Sequence, residues 1–290
     1  MKFKIFVPIL VVFFTLTAMK GDKQAFQFFN AKGKKVKFEN VVKEASNADI
    51  VFFGELHNNS MSHWFELQLT KELFEKKDGE IVLGAEMFES DNQLMMDEYL
   101  AGQIKTKNFE SEAKMWDNYK TDYKPLVEFA KENNLKFIAT NIPRRYASLV
   151  NKQGFEGLDS LTDEAKKLIA PLPVKYDPDV RCYKAMIEMM GGLGGHVTEN
   201  IPKAQAIKDA TMAHFILENL DAGETFIHYN GSYHSDDFEG IVWWIKQQNP
   251  EMKIVTITTV EQDTISNLSE DAMNTADYIL AVPSDMTKTY

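Results

Sequence analysis

Six short runs of almost unbroken apolar residues constrain the fold more than any other feature of this sequence. They are Ile50-Val51-Phe52-Phe53, Ile81-Val82-Leu83-Gly84-Ala85, Phe137-Ile138-Ala139, Thr225-Phe226-Ile227-His228, Ile254-Val255-Thr256-Ile257 and Tyr278-Ile279-Leu280-Ala281-Val282. A strand with one face in water alternates apolar and polar residues. A run that is apolar at every position suits a strand buried on both faces, as in a parallel sheet covered by helices. Helical periodicity lies between the runs: from Met61 to about Lys76 behind a Ser60 cap, with Trp64, Phe65, Leu69 and Leu73 on one face; over Pro125 to Asn133; and over Ala204 to Leu220, with Ile207, Ala210, Met212, Phe215 and Ile216 in step. The alternation predicts a three-layer α/β fold: a mostly parallel sheet with flanking helices.

Phe26-Gln27-Phe28-Phe29 and Val36-Lys37-Phe38, joined through Ala31-Lys32-Gly33, read as a hairpin, with a short helix from about Glu39 to Ala45. Two segments, about 90–120 and 144–200, carry helical signals without strands. They are expected to be insertions over one end of the sheet, forming a helical subdomain. The second contains Pro171, Pro173, Pro178 and Gly191-Gly192-Leu193-Gly194-Gly195.

Residues 1–20 read as a signal peptide, leaving 21–290 as a single domain with insertions. Met1-Lys2-Phe3-Lys4 supplies the charge, and the apolar run from Ile5 to about Met19 is short of the roughly 20 residues of a membrane span. The expected location is outside the cytoplasm, in the periplasm or cell envelope. Leu16-Thr17-Ala18-Met19 resembles a lipoprotein box with Met where the lipidated cysteine stands, so lipidation there is excluded. A net charge of −11 offers no broad basic face for nucleic acid. Cys182 is the sole cysteine, so the chain forms no internal disulfide and the thiol is expected to be inert. The cations include three arginines, Arg144, Arg145 and Arg181. Arg144 and Arg145 are the better candidates for gripping an anion through a planar fork.

Ligands of open α/β sheets gather beyond the carboxyl ends of the strands. Four of the runs end in polar groups: Glu55 and His57 after the first; Glu86 and Glu89 after the second; Asn141, Arg144 and Arg145 after the third; His228, Tyr229, Asn230 and His234 at the fourth. Two of these endings share a Gly-x-x-His spacing, Gly54-Glu55-Leu56-His57 and Gly231-Ser232-Tyr233-His234. Their glycines are expected to permit a sharp exit that returns a histidine over the sheet edge. Imidazole and carboxylate together suit zinc, iron or manganese, with His57, Glu86 and His234 as ligands and Glu55 as general base for a bound water. The same imidazoles can instead ligate a haem iron or pair with its propionates. Away from the edge, His63 and His214 read as structural. His196 follows Met186, Met189 and Met190 and can ride on a lid over a flat apolar ligand. Among Tyr176, Tyr183, Tyr229 and Tyr233, the two inside the motif, Tyr229 and Tyr233, are the first candidates for a phenolate ligand.

Gly54-Glu55-Leu56-His57-Asn58, Gly84-Ala85-Glu86-Met87-Phe88, Asn141-Ile142-Pro143-Arg144-Arg145, Lys208-Asp209-Ala210-Thr211-Met212-Ala213 and His228-Tyr229-Asn230-Gly231-Ser232-Tyr233-His234 together resemble ChaN, a bacterial haem-binding uptake family. The resemblance runs from about Phe26 to Val282. It implies an α/β fold with a helical subdomain and a haem site used in iron acquisition. Such proteins are often outer-membrane lipoproteins; this sequence departs from them at Met19. The family belongs to a wider superfamily with Tiki proteases, TraB proteins and erythromycin esterases, in which paired Gly-x-x-His motifs and a glutamate are catalytic or metal-binding. His57, Glu86 and His234 stand at the matching positions.

Two functions follow. The first is an exported haem-binding protein for haem or iron acquisition, with His57, Glu86, Arg144, Arg145, His196, His228, Tyr229, Tyr233 and His234 as cofactor contacts. Its expected partners are an outer-membrane haem receptor and a second copy of the chain. The second is a metal-dependent esterase or peptidase using zinc or another divalent transition metal.

Overall fold

A computed structural model describes residues 23–191 and 199–290. The expected signal peptide, the glycines from Gly192 to Gly195, and His196 lie outside the described residues. In chain order the elements are β1 (Gln27–Asn30), β2 (Lys35–Val36), α1 (Phe38–Ala45), β3 (Ile50–Glu55), α2 (Ser60–Lys76), β4 (Ile81–Glu89), α3 (Gln93–Leu100), α4 (Thr106–Glu112), α5 (Lys124–Glu132), β5 (Phe137–Asn141), α6 (Arg144–Gln153), α7 (Asp163–Lys166), α8 (Arg181–Gly191), α9 (Asn200–Glu218), β6 (Thr225–Gly231), α10 (Ile241–Gln248), β7 (Ile254–Gln262) and β8 (Tyr278–Pro283).

The six apolar runs are β3 to β8, and all six lie parallel in one sheet of order β2-β1-β8-β7-β3-β6-β4-β5. The hairpin β1–β2 adds an antiparallel margin on β8. Its second arm ends at Val36, and Phe38 opens α1 instead. Successive strand residues feed opposite faces, as the pleat requires. Val51, Phe53, Leu83 and Ile227 pack with α1, α2 and α5 through Val42, Phe65, Leu69 and Leu126. Ile50, Phe52, Val82 and Phe226 pack with α6, α9 and α10 through Val150, Ile207, Ala210 and Ile245. Both faces of the central strands are therefore dry, which explains the unbroken apolar runs. A buried side chain such as Phe52 contributes about 1.5–3 kcal/mol by leaving water.

Two local expectations change. Asn59, not Ser60, caps α2: its side-chain oxygen accepts from the amides of Met61 at 3.0 Å and Ser62 at 3.2 Å. Trp64 leaves the packed face and is 50% exposed. The buried face of α2 instead includes Ser62, His63, Glu66 and Thr70 beside Phe65, Leu69 and Leu73.

The helices α3 and α4 and a π-helical turn at Tyr119–Tyr123 occupy the first segment without strands. Gln93 of α3 lies on the edge strand β5, accepting from the Ala139 amide at 2.6 Å and donating to the Phe137 carbonyl at 3.1 Å. A side chain thus satisfies backbone groups that an edge strand otherwise leaves open. The helices α6, α7 and α8 lie in the described part of the second segment without strands.

Candidate functional site

The carboxyl ends of β3, β6 and β4 lie side by side, because β6 inserts between the two earlier strands. A cleft of about 650 Å³ opens over this edge, lined by His57, Glu86, Met115, Trp116, Arg144 and Lys208 among others, with His234, Ile142 and Tyr290. The fold brings Glu55, His57, Glu86, Arg144 and His234 together at this edge.

The two glycines of the Gly-x-x-His spacing act through closeness rather than unusual backbone. Neither Gly54 nor Gly231 has a positive φ. A Cβ on Gly231 stands 2.7 Å from His57 Nε2 and 3.4 Å from a Glu86 oxygen; a Cβ on Gly54 stands 3.0 Å from the Ser232 backbone. Both positions are bare where the two His-bearing turns close on each other.

His57 is held from behind. Its Nδ1 donates to Glu55 Oε1 at 2.6 Å, and Tyr123 donates to the same oxygen at 2.7 Å. The His57 carbonyl accepts from Asn118 at 2.9 Å. Nε2 therefore faces the cleft, where the described residues give it no hydrogen-bond partner. Burial alone lowers the His57 pKa, but the Glu55 hydrogen bond and the nearby Glu86 charge outweigh it, and the net shift is upward. Burial pushes the Glu55 carboxyl up to about 8. A neutral carboxyl here still accepts both hydrogen bonds on Oε1.

His234 lies in the 3-10 turn Ser232–His234 after β6 and is buried between two carboxylates. Its Nε2 is 3.2 Å from Glu86 Oε1, and its Nδ1 bonds Asp209 of α9. Burial opposes its charge, yet Glu86 and Asp209 push its pKa up to about 10. Burial likewise opposes the Glu86 charge, but the His234 imidazolium, His57 and the Gly231 amide hold that carboxyl far below its usual range. Glu86 Oε2 accepts from Gly231 N at 2.8 Å. Glu86 lies where β4 shifts register against β5, between Ala85 and Glu89. The result is an ion triad, Glu86–His234–Asp209, tying β4, the turn after β6 and α9 together. Tyr183 closes it, donating to Asp209 at 2.8 Å while accepting from Trp244 at 2.9 Å.

Other expected contacts are placed elsewhere. His228 is fully buried on the α9 side of the sheet, between Thr140 at 2.8 Å and Asn230 at 3.0 Å, and burial lowers its pKa to about 4. Tyr229 points to the opposite face, where its hydroxyl meets Thr70 at 2.5 Å. Neither lines the cleft, because consecutive residues inside a buried strand point into the two helical layers. Arg145 turns outward and is bound to Asp91, whereas Arg144 lines the cleft. Tyr233 borders a neighbouring hollow with His57 and His234, its hydroxyl donating to the Cys182 carbonyl at 2.6 Å. Burial pushes the Cys182 thiol up to about 12, as an inert cysteine requires.

Lys208, Trp116 and Asp209 join the site without having been singled out as contacts from the sequence. Asp209 carried a signal: it is an acid flanked by Ile207, Ala210 and Met212 on a helix that packs into the core.

Metal and haem make different demands on this edge. Both nitrogens of His234 are engaged by carboxylates, Nε2 with Glu86 and Nδ1 with Asp209. Among the described residues, the set whose ligand atoms lie within 4.8 Å of one another is Glu55, His63 and Glu66, not His57, Glu86 and His234. Haem needs flat apolar walls, cations for two propionates and a basic atom for iron. The cleft offers Met115, Trp116 and Ile142, then Arg144 and Lys208, then His57 Nε2. Arg144 and Lys208 have no carboxylate within ion-pair distance among the described residues.

Comparison with known proteins agrees with this architecture. Residues 41–245 match the family described as haem-binding uptake, Tiki superfamily, ChaN. The ChaN of Campylobacter jejuni, whose structure is described as showing cofacial heme binding, superposes with a TM-score of 0.67 at 17% identity, covering 89% of this chain and 97% of that one. An erythromycin esterase mutant in its open conformation gives 0.52 at 11% identity, covering 90% and 98%. A Bacillus cereus protein gives 0.51 at 11% identity, covering 84% and 90%. At such identities the superpositions speak for the fold alone. No curated protein matches the chain in sequence. With most of its length matched from α1 to α10, the chain belongs to the ChaN family of haem-binding uptake proteins in the Tiki superfamily.

Proposed function

We propose that this chain is an exported haem-binding protein serving haem or iron acquisition, and that it holds haem in the cleft at the carboxyl edge of the sheet. The observation that carries the reading is that His57 Nε2, Arg144 and Lys208 all face one cleft walled by Met115, Trp116 and Ile142, with no protein partner among the described residues. Haem iron accepts an imidazole as axial ligand, and haem propionates are matched by Arg and Lys. In this chain Glu55 fixes the tautomer of His57 by accepting from Nδ1, which directs the Nε2 lone pair outward. Trp116 lies against that ring at 4.9 Å between centroids and limits its rotation. The Glu86–His234–Asp209 triad braces the floor of the cleft. A leader in residues 1–20, delivery from an outer-membrane haem receptor and a second copy closing the open side of the cleft complete the proposal.

Proton competition gives it a pH signature. Ligation needs neutral His57, whose pKa is raised, so the proton competes more strongly than for a free imidazole. Haem ligation by His57 therefore strengthens as pH rises and fades as pH falls. Titration of the protein with haemin tests the function: a saturable Soret change at micromolar haemin is expected, and no change at that concentration rejects it.

A further inference from the structure

Behind the wall of the cleft, three side chains converge that the haem reading leaves unused. Glu55 ends β3, and His63 and Glu66 lie one turn apart on α2. His63 Nδ1 is 3.4 Å from Glu55 Oε2 and 3.1 Å from Glu66 Oε2. The other nitrogen, Nε2, faces only acceptors: the His57 carbonyl at 3.1 Å and Asp122 Oδ2 at 3.4 Å. Both ring nitrogens face oxygen atoms only; with the proton on Nε2, the Nδ1 lone pair points at two carboxyl groups.

The carboxyls are incompletely satisfied. Glu55 Oε2 and Glu66 Oε1 have no hydrogen-bond donor, although the two residues are only 1% and 0% exposed. Buried carboxylate oxygens are costly without a partner. Among the described residues, no lysine or arginine reaches Glu55, Glu66 or Asp122. Even with His57 and His63 both charged, three carboxyl groups, Glu55, Glu66 and Asp122, face two cations.

We infer that Glu55, His63 and Glu66 form a buried site for a divalent metal of the zinc or manganese type, separate from the haem cleft. The spacing fits. Zinc bonds of about 2.0–2.2 Å set tetrahedral ligand atoms roughly 3.2–3.6 Å apart, against the 3.1 and 3.4 Å seen here. Two carboxylates and one imidazole suit zinc, manganese or ferrous iron. The outer contacts are those a metal site uses: His63 donates its far N–H to a carbonyl, and Tyr123 and His57 anchor the other oxygen of Glu55. Glu55 joins the two sites, since one oxygen faces the metal and the other orients His57.

The test uses the full chain, stripped with a chelator and titrated separately with Zn²⁺ and Mn²⁺. One equivalent per chain, retained through desalting, is expected for at least one metal, with a rise in melting temperature on loading. Glu66→Gln and His63→Gln each lower that affinity by at least about 100-fold, beyond the 10–100-fold expected of an outer contact, and abolish the thermal response. Lys208→Ala, in the cleft, leaves it unchanged. X-ray absorption on the loaded wild type shows a shell of nitrogen and oxygen with one imidazole, which decides the question even where a variant fails to fold. Failure to retain an equivalent of either metal overturns the proposal and leaves a proton-sharing cluster. So does retention by both variants, or a shell with two or more imidazoles. Haemin binding that persists in Glu66→Gln separates this site's failure from the cleft's.

Discussion

Replacing His234 by Gln puts the buried triad to its hardest test. The imidazolium sits between Glu86 and Asp209, with all three side chains nearly inaccessible. Glutamine keeps much of the shape but removes the positive charge, leaving two carboxylates buried without their counter-ion. Breaking a buried pair in this way costs about 3–5 kcal/mol. For a chain of this size, 1 kcal/mol moves the melting temperature by roughly 2–3 °C, so a drop of roughly 6–15 °C is expected at neutral pH. Thermal melts followed by circular dichroism measure it. The pH dependence fixes the cause. The folded pKa of His234, about 10, lies above its unfolded value near 6.5. Its contribution is therefore fully present below about pH 6.5 and is lost as pH rises through about 10. The gap between wild type and variant narrows steadily over that window. A variant that melts within about 2 °C of wild type at pH 7, or a gap that stays constant up to pH 10, refutes the charged triad.

Three further outcomes follow from the cleft. Arg144→Ala and Lys208→Ala each weaken haemin binding about 10–150-fold, the worth of a charge-assisted contact of 1.5–3 kcal/mol, whereas Arg145→Ala, whose guanidinium is bound to Asp91 outside the cleft, leaves the titration within about twofold of wild type. His57→Ala removes the part of the haem spectrum that strengthens as pH rises, because proton competition for that imidazole is gone; a spectrum unchanged by the substitution assigns the iron to another ligand. Gly231→Ala places a methyl 2.7 Å from His57 Nε2, which displaces the ring and weakens haemin binding; equilibrium titration of that variant at wild-type affinity contradicts the close approach.

The sheet was legible in the sequence because every central strand is dry on both faces. That condition writes itself as a run such as Ile50-Val51-Phe52-Phe53, and each run proved to be a parallel strand. The edge was legible for the same reason, since Glu55, His57, Glu86 and His234 are polar residues where an apolar run stops. What could not be read is which way each polar residue turns. His228 and Tyr229 sit inside β6, so the pleat commits them to opposite helical layers. Arg144 and Arg145 are neighbours on α6, about 100° apart around the helix, and only one faces the cleft. The helical contributions were harder still. His63 and Glu66 occupy the packed face of α2, where an amphipathic pattern leads one to expect Trp64. That face must satisfy Glu55 and Tyr229 as well as bury Phe65 and Leu69, so tertiary polar contacts override the hydrophobic periodicity. Asp209 pairs with a histidine 25 residues away, and helical spacing alone names no partner for it.

The claim that the carboxyl-edge cleft holds haem is tested most directly by a crystal structure of the protein with haemin, with iron located by its anomalous scattering. The account predicts an iron peak in the cleft between His57 and Trp116, with the propionates turned toward Arg144 and Lys208. An iron peak elsewhere on the chain, with the cleft free of porphyrin density, contradicts it.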